Sequence, residues 1–322
     1  MFTKMSELSA FVLALNAQAQ TRGVTDLLDW SVSYLSEVIG FDSAWYGWAK
    51  VQESTTLVHA SSTFNLPDHY YSAWAEIADQ DVLVDQFVEH PHCDPTYDRR
   101  GEVQSDGMET LSDLFGLRKM ATAMCLRQER SCSFFLSAYR GGMHARDWSR
   151  EETEFLQCAV DNISAASRTA AKNDLVTQDD QSASLLLSRH GATLIGLDGM
   201  HQKFGHLWSR RDGDRVPRWL ADYIRQPGEH LLVDQELVAN CEHVTTWDGV
   251  GLYKVSLRPL RKFDLLTARE RDVANALSRG KSHKEVAKEL GVAPSTVRNQ
   301  TQSIYGKLGV DNRASLARHV IS

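Results

Sequence analysis

The segment PSTVRNQTQSIYGKL, residues 294–308, carries side chains that can read a nucleic acid. At about 100° per residue, Ser295, Arg298, Asn299 and Gln302 fall near one side of a helix, with Ser303 flanking, while Val297, Ile304 and Leu308 share the other. Arginine donates to guanine O6 and N7, and Asn or Gln pairs with adenine N6 and N7 in the major groove. Lys281, Ser282, Lys284, Thr296 and Lys307 stand where they can neutralise or bond phosphates, which fixes register without reading sequence. Taken alone, the same face reads equally well as the solvated side of a small helical domain.

Two earlier helices must position that face. In Thr267-Ala-Arg-Glu270 and Ser282-His-Lys-Glu285 a hydroxyl is followed three residues later by Glu, the pattern in which each side chain caps the other's backbone N–H. The stripes Val273, Ala274, Leu277 and Val286, Ala287, Leu290 follow, closed by Gly280 and Gly291, whose lack of a Cβ suits a left-handed helix end. Pro294 is favoured at a first helical position. Charge separates along the chain in the same sense. Residues 261–322 hold 12 Lys+Arg against 6 Asp+Glu, a net +6, while the remainder is −13 and the whole −7. A basic end on an acidic body is the asymmetry of a nucleic-acid-binding domain joined to something else.

From Leu266 to Ala317 the chain resembles the LuxR-type (LuxR/FixJ) helix-turn-helix family, through LTARERDV, G-x-S-x-K-E-V-A-x-x-L, TVR, IYGKLGV and NR. The resemblance implies a four-helix domain whose third helix enters the major groove of double-stranded DNA. It also implies a last helix, about Arg313–Ile321, that contributes to a homodimer, and RNA polymerase as a candidate partner. Two positions depart from the family pattern: Ala293 stands where Ser or Thr often caps the third helix, and Gln300 where His is frequent. They put the preferred DNA sequence in doubt, not the binding.

Upstream, Ser6–Leu15 and Val24–Ile39 read as amphipathic helices, and Ser43–Val51 and Thr55–Ser61 as strands. A helical stretch Pro67–His90 follows, then a loop with Pro91, Pro95 and Gly101. Lys119–Arg127 and Ser131–Tyr139 read as strands, and Asp147–Ala171 as a long helix with Trp148, Phe155, Leu156, Val160 and Ile163 on its apolar side. That order predicts an α/β/α sandwich around an antiparallel sheet. The ending SAYRGGMHARDWSREETEFLQCAV resembles the last strand, turn and closing helix of the GAF/PAS-like sensor domains of LuxR-type regulators. Trp45, Trp48, Phe64, Tyr70, Tyr71, Trp74, Phe87 and Tyr97 cluster where such folds line a pocket. An aromatic chamber suits a hydrophobic or ring-containing effector. The same residues would also serve as plain core, and strand alternation sets Trp45 opposite Tyr46 and Trp48. Acyl-homoserine-lactone-binding domains share the architecture, but their Asp-Pro with an upstream Trp and Tyr is not met. Asp81 is followed by Val82, with Asp68 and Ser72 at the upstream positions. Asp94-Pro95 has Asp81 and Asp85 there.

Beyond the polar segment Lys172–Ser184, Leu185–Leu187 and Ala192–Ile195 read as a hairpin, then DGMHQKFGHLW as helix and EHVTTWDGVGLYKVSLRPL as strand–turn–strand. The order resembles a short PAS domain with His201 where Asn is frequent and Phe204, Leu207, Trp208 and Trp219 as core. It is expected to couple or dimerise. The predicted division is therefore an α+β chain: a sensor at 1–172, a linker at 173–184, a small PAS-like α/β domain at 185–260 and an all-α DNA-binding domain at 261–322.

Other classes fit less well. Five cysteines without CxxC pairing argue for reduced thiols and a cytoplasmic setting. No apolar run approaches the roughly 20 residues of a membrane span. AFVLALNAQAQ has too short an apolar run for a secretory signal, and Leu8, Phe11, Val12 and Leu15 recur at helical spacing. No nucleophile–base motif or phosphate loop speaks for an enzyme. His90, His92, Cys93 and Asp94 in HPHCD offer metal-type ligands without a second cluster to complete a set, so neither metal nor cofactor is expected. Asp179-Asp180 lies in the linker and not where a phosphoacceptor would need it. A metal or haem redox sensor, and a ligand-free regulator with dimerisation-only N-terminal domains, are the alternatives to a ligand-controlled regulator.

Overall fold

The computed structural model describes residues 2–52, 55–90, 95–125, 132–175, 181–188, 191–208, 215–247 and 250–321. The chain divides into two compact units, Met1–His230 with Ala239–Leu257, and Leu231–Val238 with Arg258–Ser322.

The first unit opens with α1 (Phe2–Ala19) and α2 (Val24–Leu35), which runs through a π-turn, Ser36–Gly40, into β1 (Ser43–Gln52) and β2 (Thr55–Phe64). Then come α3 (Tyr70–Ala75), α4 (Val82–Glu89), β3 (Thr96–Asp98) and α5 (Asp106–Phe115). β4 (Leu117–Met124), β5 (Ser133–Gly141) and the closing α6 (Arg150–Asp174) complete the layer. The antiparallel sheet has the order β2-β1-β5-β4-β3. Its two faces bury separate cores, as period-two alternation requires. Ala44, Tyr46 and Trp48 of β1 pack with Phe11, Leu15, Leu28, Leu156 and Ile163 of the three long helices. Trp45 and Ala49 pack with Tyr70, Trp74, Leu83, Phe87 and Met108 of the short ones. This is the α/β/α sandwich expected.

Sequence reading missed β3 and α5. Pro91, Pro95 and Gly101 break the local pattern, yet Ser105 caps α5 by accepting from Met108 N, and Gly116 closes it at φ +67°. Gly47 on β1 is compelled: a Cβ there would lie 2.1 Å from Ala60 O of β2.

The segment quoted above as the sensor's ending is built around one buried arginine. Arg140 Nη2 donates to Glu152 Oε1 (3.0 Å) and Ile39 O (3.1 Å), its Nε donates to Gly40 O (2.8 Å), and its guanidinium lies 3.7 Å from the Trp148 ring centroid. Glu152 also closes the capping box with Ser149. Arg146 of the turn also pairs with Glu152 Oε1 (2.5 Å), so strand, turn and helix start are tied by one carboxylate between two guanidinium groups, its hydrogen bonds met, the condition under which a buried ion pair is tolerable.

A second antiparallel sheet follows, built from β6 (Ala183–Ser188), β7 (Thr193–Ile195), β8 (Gly228–Leu232), β9 (Leu237–Trp247) and β10 (Val250–Pro259), in the order β7-β6-β10-β9-β8. Between β7 and β8 lie α7 (Leu197–Phe204) and α8 (Arg218–Ala221). Phe204 and Trp208 are buried; Leu207 and Trp219 are half-buried. α6 runs through the start of the expected linker, and Asp179-Asp180 falls outside the described residues. Leu186, Ile195 and Leu252 share one core with α1, α2 and α6.

In the second unit a 3-10 turn, Lys262–Leu265, leads into α9 (Ala268–Ser278), α10 (His283–Leu290), α11 (Pro294–Leu308) and α12 (Arg313–Ile321). Leu266, Val273, Leu277, Val286, Val297, Ile304, Leu308 and Leu316 form its core. Both capping boxes are present, Thr267 with Glu270 and Ser282 with Glu285, and Gly291 ends α10 at φ +65°.

Candidate DNA interface and ligand chamber

On α11, Val297, Thr301, Ile304 and Leu308 are buried, and Ser295, Thr296, Arg298, Asn299 and Gln302 are exposed. The short turn Gly291–Ala293 joins α10 to α11, so Ser295, Arg298, Asn299 and Gln302 project from the second helix of a helix-turn-helix. Ala293 holds the extended backbone of a cap, φ −71° and ψ 145°, but supplies no capping side chain. Lys284 is exposed, and Ser282 is an exposed cap whose hydroxyl accepts from Glu285 N. Lys281 Nζ is paired with Glu289 Oε2 at 2.5 Å.

Lys307 has an internal partner. Its Nζ donates to Glu270 Oε2 (2.7 Å), and Ser303 Oγ donates to Glu270 Oε1 (2.9 Å). Glu270, buried at the start of α9, also accepts from Thr267 N and Thr267 Oγ1. Lys307, the backbone N–H of Thr267 and Ser303 together hold its carboxyl at about 2, well below the usual carboxylate range. One carboxylate therefore sets the pitch of the reading helix against the first helix. Arg313 does similar work on the connecting turn, donating to Leu277 O and Lys281 O at 2.6 Å each. The sequence marks Glu270 only as a cap, because its bond to Lys307 spans 37 positions.

In the first unit the aromatic candidates separate. Trp45, Tyr70, Tyr71, Trp74, Phe87 and Tyr97 gather on the short-helix face of the sheet; Trp48 and Phe64 lie on the opposite face, against the long helices. Trp45 sits at the centre, with ring centroids 4.7 Å from Trp74, 4.8 Å from Phe135 and 5.6 Å from Tyr70. Tyr71 flanks both indoles. Tyr97 hydroxyl turns away to Gln104 Oε1. An interior space of about 30 Å³ remains among Trp45, Trp74, Asp81, Phe87, Phe135 and Ser137, room for about one water.

This chamber has polar points. Asp81 Oδ2 accepts from Trp74 Nε1 (2.8 Å), and Asp81 Oδ1 accepts from Leu83 N (2.9 Å) and Val84 N (3.4 Å), capping α4. Burial pushes its carboxyl above the usual range despite these donors. Tyr70 hydroxyl donates to Tyr139 Oη at 2.9 Å, and burial pushes both phenols up. Trp45 Nε1 and Thr56 Oγ1 are buried with no hydrogen-bond partner among the described residues. The indole that reaches Asp81 is Trp74, seven residues upstream across the short 3-10 turn Ala78–Gln80, and not one at the position of the Asp-Pro pattern, where Asp68 stands.

Of the metal-type loop, His90 is described, while His92, Cys93 and Asp94 lie outside the described residues. Among the described residues no three His, Cys, Asp or Glu side chains are grouped to hold a metal, and no helix is long and apolar enough to cross a membrane. Cys125 is buried and Cys132 half-buried.

Comparison with known proteins bears on the second unit. Residues 264–320 match the family of bacterial regulatory proteins described as the luxR family. The probable transcriptional regulatory protein NarL of Mycobacterium tuberculosis is 51% identical over 51 residues, 16% of this chain and 24% of that protein. Transcriptional regulatory protein UhpA of Escherichia coli K12 is 47% identical over 57 residues, 18% of this chain and 29% of that protein. The chain thus spans less than a third of either relative's length. Among solved structures, Escherichia coli SdiA aligns over 97% of this chain and 96% of its own at 12% identity and a TM-score of 0.39. The N-acylhomoserine lactone dependent factor CepR2 of Burkholderia cenocepacia aligns over 52% and 96% at 10% identity and a TM-score of 0.39. Motif, helix geometry and family match coincide on the same residues, and the C-terminal end of this chain is a helix-turn-helix domain of the LuxR family of bacterial regulators.

Proposed function

We propose that the chain is a DNA-binding transcriptional regulator, acting as a homodimer, whose hold on promoter DNA is set by a small hydrophobic or aromatic effector in the N-terminal chamber. The observation that carries the DNA reading is the exposed row Ser295, Arg298, Asn299 and Gln302 on a helix whose other side is wholly buried. Lys281, Ser282, Lys284 and Thr296 surround that row as phosphate contacts; Lys307 belongs with the strut to Glu270. Titration of labelled promoter fragments with wild-type protein and Arg298→Ala tests it. Loss of about 1–3 kcal/mol for the specific site, with non-specific binding retained, is expected of a base contact. Unchanged affinity for the specific site overturns the assignment.

The effector reading is supported by an unpartnered indole N–H and a buried carboxylic group within one aromatic enclosure. Buried polar atoms are ordinarily satisfied, so each such atom invites a partner. The effector this suits is an aromatic or apolar body with an acceptor for Trp45 Nε1. Because the chamber is nearly filled, occupation requires Trp45, Trp74 or Tyr71 to swing aside, and the effector acts by favouring that arrangement. A thermal-shift screen of aromatic acids, steroids and acyl compounds on the whole chain tests this, since a true ligand raises the melting temperature of the state it binds. A hit whose shift survives Trp45→Phe is bound elsewhere.

A further inference from the structure

We propose that a cleft beside the β6–β7 turn binds a small phosphate ester with a hydroxyl-bearing body, a sugar phosphate or a nucleoside monophosphate. It is a ligand site additional to the aromatic chamber and stands or falls apart from it.

Three stretches of chain meet at one glycine to form the cleft. Gly191 N donates to Ser188 O (2.9 Å) in the β6–β7 turn, and Gly191 itself has φ +74°. The chain returns beside that turn further on: Ala192 and Arg215 form an antiparallel bridge, and Val216 N donates to Gly191 O (3.2 Å). Beyond Pro217 it coils through α8, with Leu220 N bonded to Pro217 O, Tyr223 N to Leu220 O and Gln226 N to Tyr223 O. That coil carries Ile224 back to the same glycine. A Cβ on Gly191 would lie 3.3 Å from Val216 Cγ2 and 3.7 Å from Ile224 Cδ1. The cleft enclosed has about 450 Å³, within the range of small-molecule sites. Its lining joins the buried Val216 and Ile224 to the exposed Arg215, Asp222 and Arg225.

The charges here run against those of the body around them. Residues 209–225 hold five Arg against three Asp, a net +2, although residues 1–260 as a whole are −13. Two of those arginines line the cleft. A guanidinium keeps its charge at any ordinary pH and offers a planar fork of N–H donors that matches an oxyanion. A carboxylate has two oxygens and is satisfied by one fork. A phosphate monoester has three terminal oxygens and nearly two charges near neutral pH, so it is the oxyanion that uses both forks. Asp222 can only accept, which suits the hydroxyls of a sugar, and the apolar surface of Val216 and Ile224 suits its carbon face. The side chains of Arg215 and Asp222 have no hydrogen-bond or ion-pair partner among the described residues, so neither is already engaged. The aromatic chamber cannot take such a ligand, since no Lys, Arg or His is among the described residues that line it.

The test is isothermal titration of the full chain, at constant ionic strength, with inorganic phosphate, ribose 5-phosphate, AMP and succinate. Saturable binding of ribose 5-phosphate or AMP is expected, tighter than inorganic phosphate, with none for succinate; whichever ester binds more tightly tells sugar phosphate from nucleotide. Among variants of wild-type circular dichroism, Arg215→Gln and Arg225→Gln should each weaken ester binding about tenfold, as loss of one charge-assisted pair implies. Asp222→Asn should weaken ribose 5-phosphate and leave inorganic phosphate unchanged. Arg218 is exposed on the same segment but does not line the cleft, so Arg218→Gln should leave every titration as it was. Binding weakened as much by Arg218→Gln as by Arg215→Gln would reflect diffuse charge and overturns the site. Succinate matching the phosphate esters overturns the ligand class, and no saturable binding of either ester at millimolar concentration overturns the proposal whole.

Discussion

Replacing Lys307 by Met removes the cation from Glu270 and keeps the length of the side chain. Glu270 sits at about 2 in the folded protein against an ordinary value of 4.5. If the whole displacement counted, the linkage would be worth about 3 kcal/mol. Lys307 is 42% exposed and one of several donors, so screening and sharing reduce its own part to about 1 kcal/mol. The sign follows from the direction of the shift. A lowered carboxyl stabilises fully above its unfolded value, so the contribution is complete at neutral pH and is lost as pH falls from 4.5 through 2. Hydrogen exchange read by mass spectrometry on peptides covering 294–308 is the assay, since it reports local opening in a chain of two units. Lys307→Met should speed exchange of α11 about fivefold at pH 7, and the difference from wild type should shrink through the acid range. Unchanged exchange would refute the strut, above all if DNA affinity then fell equally for every sequence and the salt slope flattened. That pair of results would return Lys307 to the phosphate backbone, where its sequence position first put it.

Lys284→Ala should lower affinity for specific and unrelated DNA alike and reduce the slope of log affinity against log salt by about 1. Ala293→Ser should raise stability of the helix-turn-helix by about 0.5–1 kcal/mol, because the backbone there already has the dihedrals of a cap; slower exchange at the start of α11 is the readout. Trp45→Phe deletes a buried donor that has no partner among the described residues but leaves a void against Trp74 and Phe135, so the ligand-free protein should lose about 1–2 kcal/mol on chemical unfolding; a loss well above about 3 kcal/mol would mean the indole N–H is also satisfied in solution.

How much was legible depended on how local the cause was. The capping boxes, Gly291 and the opposed faces of α11 lie within a few residues of one another, so spacing alone located them. Strand alternation likewise told Trp45 from Trp48. What sequence could not supply was partnership at a distance. Glu270 reads as a cap until Lys307 is folded onto it, and nothing near Arg140 in the chain marks it for burial until Ile39, Gly40, Trp148 and Glu152 close around it. The helix at Asp106–Phe115 was hidden for a different reason: Pro91, Pro95 and Gly101 before it are strong local punctuation, and its burial against Ile77 and Gln80 is tertiary. Asp81 was judged by its neighbour Val82 when its use is set by Trp74.

That same aspartate has a consequence for how the chain can change over generations. One oxygen of Asp81 begins a helix and the other fixes an indole in the chamber wall. An asparagine there keeps one acceptor and turns an amide N–H₂ toward the other donor, so it can honour the helix or the indole but not both. Drift at this position cannot retune the chamber quietly: whatever alters the wall also alters where α4 starts.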